Sequence, residues 1–382
     1  MRITLATTTL AEILDMSTRF IAKSSTLPIL QNIYLHVNNN ELTVKATDME
    51  KFIHMTLPLD KAEDGGITVD AKTLHDIIKV IEDDNVELSV NNSTDMLTIQ
   101  SVKDSFTIKG IPTGEFVALP ELTPTHTSTI PVQDLVHGIG KVEFAVLEKN
   151  FSPIFTGVVI ASKIDSADKH YLVFVGTDSF RLAEYKVPVE KRFTEEFKLI
   201  IPKVAANDIK KVGEYCLNKQ QQNNVTVAHA NNMVSCTFTL GNMNIVTNSL
   251  LIQGTFPDYD NEKIVPREFN TSVTVDANNA DKAIRKIGIL TKDINNFIHI
   301  VSDANTLSIS SGNTDLGNAD TSIAAIIEWD AIDLGLNGKH LSEFLKIVQS
   351  DRVIIQFVNN TSPFVITEPD NAHYKYVLRP VK

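Results

Sequence analysis

Two Thr-Asp pairs at the ends of alternating strands are the carboxylates best placed to do chemistry in this sequence. Thr47-Asp48 closes the run Leu42-Thr43-Val44-Lys45-Ala46, and Thr177-Asp178 closes Tyr171-Leu172-Val173-Phe174-Val175-Gly176. A carboxylate in such a place can serve as a general base. It can equally accept backbone hydrogen bonds in the turn after the strand, and recurrence of the pair favours that structural role, since catalytic sites are rarely duplicated within one chain. No other pattern competes. Gly335-Leu336-Asn337-Gly338-Lys339-His340 contains a Gly-Lys pair but neither the spacing nor the hydroxyl of a phosphate-binding loop. His75 and Asp76 are adjacent on a predicted helix, so they point about 100° apart and do not form a base with its orienting carboxylate. Cys216 and Cys236 form no CxxC and lack partners at zinc spacing. The expectation is no catalytic residue, no metal and no cofactor. A hydrolase with dispersed Ser, His and Asp residues stands as one alternative, and a structural tandem-repeat interaction module as another.

The basic residues suggest a different chemistry. Lys282, Arg285 and Lys286 follow helical spacing opposite Ala280, Ala283, Ile284 and Ile287. Lys203, Lys210 and Lys211 share a face with Asn207, while Arg19, Lys23, Lys72 and Lys79 flank two earlier helices, and Lys141, Lys339 and Lys346 complete the set. A charged helix face is ordinarily just a solvated face. Here it recurs in each third of a chain whose net charge is −12, from 35 basic and 47 acidic residues. That balance argues against simple electrostatic capture of nucleic acid by the whole surface, but a local basic lining survives because distant charges are screened. Lysines without interleaved aromatics suit sequence-independent phosphate contact.

The elements that carry these residues repeat. The first predicted helix sets Leu10, Ile13, Leu14 and Ser17 on one face; its counterparts set Val132, Leu135, Val136 and Ile139, and Ala280, Ala283, Ile284 and Ile287. A second helix recurs as Lys72 with Leu74, Ile77, Ile78 and Ile81, as Lys203 with Ala205, Ile209 and Val212, and as Lys339 with Leu341, Phe344, Leu345 and Val348. Asp276 is a candidate cap for the last copy of the first helix, as are Asn278 and Asn279. Alternating runs such as Ile33-Leu35-Val37, Val86-Leu88-Val90 and Val225-Val227 are predicted strands. Each copy therefore reads helix, strands, helix, strands. The third Thr-Asp counterpart is only approximate, at Leu307-Ser308-Ile309-Ser310-Ser311. The length of 382 residues exceeds one ordinary core. Linkers are expected in the Pro- and Thr-rich stretch 120–130 and near 258–270. No apolar run approaches a membrane span, the N-terminus lacks a signal-peptide core, and two unpaired cysteines suit a reducing cytoplasmic setting.

Over its whole length the chain resembles the bacterial DNA polymerase III β subunits, the sliding clamps. The phrases that carry the resemblance are Thr26-Leu27-Pro28-Ile29-Leu30-Gln31-Asn32, Ala46-Thr47-Asp48-Met49-Glu50, Gly176-Thr177-Asp178 with Arg181-Leu182, Phe256-Pro257-Asp258-Tyr259, and Tyr376-Val377-Leu378-Arg379-Pro380-Val381-Lys382. The resemblance implies an α+β fold of three tandem clamp domains, at 1–122, 129–257 and 258–382, each with two helices and antiparallel sheets. It implies a head-to-tail homodimer that closes a six-domain ring around double-stranded DNA, with the helices inward.

The same resemblance implies a cleft for short peptides of the DNA polymerase III alpha subunit, the clamp loader and other proteins bearing a clamp-binding motif. By position it would use Thr177, Ser179, Phe180, Arg181, Leu182, Pro257 and Pro380, with Phe155, Ile264, Pro363, Val377, Arg379 and Val381. The sequence departs from the family at Ser179-Phe180, where Gly followed by His or Tyr is usual, and at Arg379, where an apolar residue is common. The stretch from Tyr259 to Val265 is also longer than usual. For the dimer, the resemblance implies Lys103, Phe106 and Ile108 meeting Ile289 and Leu290. An alternating Phe-x-Ile on an edge strand independently suits an interface.

Overall fold

The alternating strands pair antiparallel throughout, and their pairing, more than the helices, decides how the chain is divided. The computed structural model describes residues 1–91, 93–148, 152–189, 196–219, 224–230 and 232–381; Lys382, the last residue of the C-terminal phrase, lies outside them. Among the described residues six α-helices stand where the apolar spacing puts them: α1 (Thr7–Ser17), α2 (Ala71–Val80), α3 (Val132–Val142), α4 (Lys203–Asn218), α5 (Ala277–Thr291) and α6 (Gly338–Leu345). Leu10, Ile13 and Leu14 of α1, Ala280, Ala283, Ile284 and Ile287 of α5, and Leu341, Phe344 and Leu345 of α6 are buried. Asp276 caps α5, accepting from the Asn279 N–H at 2.8 Å, and Asp70 and Asn337 cap α2 and α6 in the same way. Each copy differs from expectation in opening with a strand before its first helix: Arg2–Ala6, His126–Pro131 and Thr271–Asp276.

Two compact units result, one of Met1–Val136 with Val204–Leu251 and one of His137–Lys203 with Ile252–Lys382. The first holds one continuous sheet, which runs from His126–Pro131 through Asn224–His229, Met233–Leu240 and Met243–Leu250 to Lys51–Pro58, and onward to Ser105–Ile111, Met96–Gln100, Asn85–Asn91 and Arg2–Ala6. The second is built likewise. Its sheet runs from Lys198–Pro202 through Gly157–Ile164, His170–Thr177 and Arg181–Val189 to Asn371–Leu378, and ends at Phe297–Asp303 and Asp333–Asn337.

The middle third of the chain thus contributes strands to both sheets. The cause is a seam that occurs once in each unit. In the first, Lys51–Pro58 pairs with Met243–Leu250, from Lys51 opposite Ser249 to Thr56 opposite Asn244. In the second, Arg181–Val189 pairs with Asn371–Leu378, from Arg181 opposite Leu378 to Tyr185 opposite Tyr374. Both seams join the strand after a Thr-Asp turn to the last strand of the following copy. Backbone pairing across them makes each sheet continuous.

Candidate peptide-binding cleft and cationic faces

The strand His170–Thr177 must reverse into Arg181–Val189, and Thr177-Asp178 performs the reversal. Thr177 Oγ1 donates to the Arg181 carbonyl at 2.6 Å, and the Asp178 carboxylate accepts from the Phe180 and Arg181 N–H groups, both at 2.9 Å. Ser179 sits at the apex with φ +76°. A left-handed residue there is uncommon for a side chain larger than glycine, yet Met49 adopts φ +78° at the equivalent apex. The first turn matches otherwise as well: Thr47 donates to the Lys51 carbonyl at 3.0 Å, and Asp48 accepts from Glu50 and Lys51. Both carboxylates are therefore turn formers, as their recurrence implied.

The reversal also points Phe180 outward, 64% exposed, beside the buried Leu182. Leu182 belongs to an apolar cluster with Val159, Val173, Val175, Phe256, Val265, Val365 and Val377, against which Phe155 and Tyr259 pack. The outer side of that cluster is the floor of an open cleft of about 340 Å³. Thr177, Ser179, Phe180, Arg181 and Leu182 form one wall, and Phe155, Pro257, Ile264, Pro363, Val377 and Arg379 line the rest. Phe256, Tyr259, Lys263 and Thr361 also line it and were not singled out from sequence. Phe256 and Tyr259 lie within a quoted family phrase, which was the available signal; nothing in the sequence marked Thr361.

Pro380 and Val381 do not line the cleft. After Arg379 the chain runs on to Gly335, whose carbonyl accepts from the Val381 N–H at 2.8 Å. A Cβ at residue 335 would lie 2.6 Å from the Val381 oxygen and 2.3 Å from the Phe297 ring, so this approach requires glycine. Backbone capture by Gly335 draws Val381 away.

Charge in the cleft is unevenly satisfied. The Arg181 guanidinium donates to Asp178 at 2.8 Å and to the Phe144 carbonyl at 2.9 Å, and bonds Glu343 of α6. Burial opposes its charge, but Tyr376, Glu343 and Asp178 outweigh that and hold its pKa above the ordinary value. Tyr259 donates to Glu184 at 2.7 Å, and burial with Glu184 beside it pushes the phenol up. An apolar floor with few polar groups suits capture of a short segment with apolar anchors.

Models of the DNA polymerase III beta subunit match the chain in order: the N-terminal domain at residues 1–120, the central domain at 129–258 and the C-terminal domain at 262–382. The chain belongs to the DNA polymerase III beta subunit family. Among its relatives, the beta sliding clamp of Synechocystis sp. is 26% identical over 97% of this chain and 96% of its own. That of Staphylococcus epidermidis is 25% identical over the same shares. In fold it resembles the DNA polymerase III subunit beta of Pseudomonas aeruginosa, with a TM-score of 0.89 at 22% identity over 100% of both chains. It also resembles the sliding clamp of Bartonella birtlesii bound to griselimycin, with a TM-score of 0.91 at 23% identity over 100% of this chain and 99% of that one.

This beta subunit does not expose all of the cations proposed from helix spacing. Arg19, Lys23, Lys72, Lys79, Lys282, Arg285, Lys286, Lys339 and Lys346 are exposed. Three of these are tethered: Lys79 to Asp15 at 3.5 Å, Arg285 to Asp281 at 2.9 Å and Lys339 to Glu343 at 3.9 Å. Lys203 is half-buried and donates to the Val146 carbonyl at 3.0 Å, and Lys211 pairs with Glu214. Two expectations are corrected. Lys141 is buried, held by Glu368 at 3.1 Å and by the Ile347 carbonyl, and Lys210 is buried also. Neither is one of the exposed cations of its helix face. His75 pairs with Asp15 of α1 at 2.6 Å rather than with Asp76.

The residues implied for the dimer fall on two separate elements. Phe106 and Ile108 lie half-buried on the strand Ser105–Ile111, and Lys103 is exposed in the turn before it. Ile289 is 67% exposed near the end of α5, with Leu290 half-buried next to it. Among the described residues no helix is long and apolar enough to cross a membrane, and no cluster of side chains is arranged to hold a metal.

Proposed function

We propose that this beta subunit is a cytoplasmic polymerase processivity factor without catalytic residues of its own. Its three repeats, at 1–122, 129–257 and 258–382, pair head to tail with those of a second copy to close a ring of six around duplex DNA. The cleft takes short peptides of the DNA polymerase III alpha subunit, the clamp loader and other proteins with a clamp-binding motif. The exposed cations of the helices meet the phosphate backbone without reading sequence. Tethering is topological, so the acidic chain requires no tight chemical affinity for DNA.

One observation carries the reading. The two seams each join the strand after the reversing turn to the last strand of the next copy. Two strands of those same classes lack such a partner among the described residues. They are Ser105–Lys109, which pairs on one edge only with Met96–Gln100, and Asp320–Ala324, which pairs on one edge only with Thr306–Ser310. They come from the first and third copies. The strand left over at each end is the one the other needs, so a second chain completes both by repeating the internal seam. Phe106 and Ile108 lie on the first of these free edges.

Retention on DNA tests the proposal. The protein, loaded on closed circular duplex, stays bound, and cutting the circle releases it. Equal loss from intact and cut DNA would overturn the reading.

A further inference from the structure

We infer that the seam between two chains lacks a cation that both seams within a chain possess, that Asp76 is the carboxylate left without it, and that residue 319 thereby sets how readily the chains part. This rests on the proposal that a second copy completes the free strand edges.

Each internal seam is locked by an ion pair. A cation at its first rung, Lys51 or Arg181, meets a carboxylate on the second helix of the next copy, Asp208 or Glu343. That carboxylate holds a fixed place, five residues after the first residue of its helix: Asp208 after Lys203 in α4, and Glu343 after Gly338 in α6. In α2 the same place, five residues after Ala71, belongs to Asp76. The surroundings correspond as well, since the residue two before the acid is buried in all three helices: Ala206, Leu341 and Leu74. The acid is therefore present in every copy.

The cation is not. The Asp48 N–H donates to the Lys51 carbonyl at 3.2 Å and the Asp178 N–H to the Arg181 carbonyl at 3.3 Å, and the third copy makes the same bond from Ser311 to Ala319 at 2.9 Å. Ala319 thus fills the cation's place and carries no charge. Head-to-tail pairing brings α2 of one chain to this turn of the other, so Asp76 meets a methyl group where Asp208 meets an ammonium. Its own surroundings offer little compensation. Asp76 is exposed and has no ion pair among the described residues. On the same helix Lys79 and His75 turn to Asp15 of α1, at 3.5 and 2.6 Å, which leaves only the exposed Lys72 one turn away. A carboxylate that loses water without gaining a cation opposes association.

Sedimentation equilibrium of the full-length protein tests this. Ala319→Arg supplies a cation to Asp76 of the other chain. A gain of about fivefold at each seam, the upper range for an exposed ion pair, acts twice in a closed dimer and lowers the dissociation constant roughly 25-fold. Rising salt erodes the gain. The same substitution in an Asp76→Asn background brings no such gain. A second variant, Ser311→Asp with Ala319→Arg, guards against a misfolded turn. It rebuilds the turn of the second copy, because Ser311 Oγ already accepts the Ala319 N–H at 3.0 Å, as the Asp178 carboxylate accepts that of Arg181 at 2.9 Å.

A dimer no tighter than wild type in both variants, at unchanged melting temperature, would overturn the inference. A gain of equal size without Asp76 would overturn it too. Either result leaves the ring reading standing. A wild-type protein that stays monomeric at every concentration would sink that reading itself.

Discussion

Lys51 and Arg181 hold the same place in successive copies, and each carries its cation to a carboxylate on a helix of the next copy. Lys51 bonds Asp208 of α4 and the Arg19 carbonyl; Arg181 bonds Glu343 of α6 and the Phe144 carbonyl. Each is the first residue after a Thr-Asp turn and the first rung of a seam. In the third copy Ser311 stands in place of the acid and Ala319 in place of the cation. The Ser311 N–H donates to the Ala319 carbonyl at 2.9 Å, and Ser311 Oγ accepts from the Ala319 N–H at 3.0 Å, so the turn's backbone bonds persist without its acid or its cation.

Breaking one such pair leaves a buried charge alone. Lys51 and Asp208 are 8% and 9% exposed at the side chain, and burial pushes the Asp208 carboxyl up despite the lysine beside it. Lys51→Met is expected to destabilise its unit by about 3–5 kcal/mol, whereas Lys51→Met with Asp208→Leu recovers most of the loss. Urea titration of the variants checks this; a double variant no better than the single one would contradict it.

The cleft separates binding from stability at one residue. Phe180 is 64% exposed, so Phe180→Ala is expected to weaken peptide binding by roughly tenfold while leaving the urea midpoint in place. Leu182 is 5% exposed and part of the core beneath. Leu182→Ala therefore weakens the peptide and also costs about 2–5 kcal/mol of folding stability. Calorimetric titration together with denaturation distinguishes the two.

Acid is expected to loosen the second unit through His340. Burial, then the Arg181 charge, push this imidazole below its ordinary value, against the opposing pull of Asp178 and Glu343. With a folded pKa below the unfolded value of about 6.5, the unfolded chain binds more protons in the interval between them. Stability is full above that interval, falls as pH drops through about 6.5, and stops falling below the folded pKa. His340→Gln should flatten this slope. His54 and His229, lowered chiefly by burial, give the first unit a slope of the same sign.

The cations divide into those that can meet DNA and those that cannot. Charge reversal at Lys282 or Lys286, both exposed, is expected to weaken DNA binding and to lower its salt dependence by about one unit of slope per lost phosphate contact. Lys141→Met should leave DNA binding alone and destabilise the second unit, since it strands Glu368. Salt-dependent binding isotherms compare the two; a DNA defect in Lys141→Met without lost stability would refute the division.

The helix positions and the turn chemistry were legible because apolar spacing and a Thr-Asp pair act locally. The fates of Lys141 and Lys210 were not. A lysine on a polar helix face is drawn to solvent unless a distant acid meets it, and Glu368 is far from Lys141 in sequence. The cleft wall at Thr177–Leu182 was readable from its phrase. Thr361 was not, since it enters from a loop whose sequence bears no trace of that neighbourhood. Val381 was misplaced because its partner, the Gly335 carbonyl, is a backbone group that any residue type can offer. The third turn was obscured by its length, with Gly312–Asn318 between the two residues that keep its bonds.

The two unpaired strand edges have a consequence for growth. An edge that accepts and a different edge that donates permit a closed assembly, but the same two surfaces also permit an endless one. Ser105, Thr107 and Lys109 on one edge and Asp320 and Ser322 on the other offer polar side chains that discourage random stacking. Nothing in those side chains counts to two. In the proposed ring, the number of chains is set by the rotation from one copy to the next, which the Lys51 and Arg181 pairs help to hold. A variant that relaxes those pairs without unfolding the chain would therefore reveal itself as open polymers or rings of the wrong size, not as monomers.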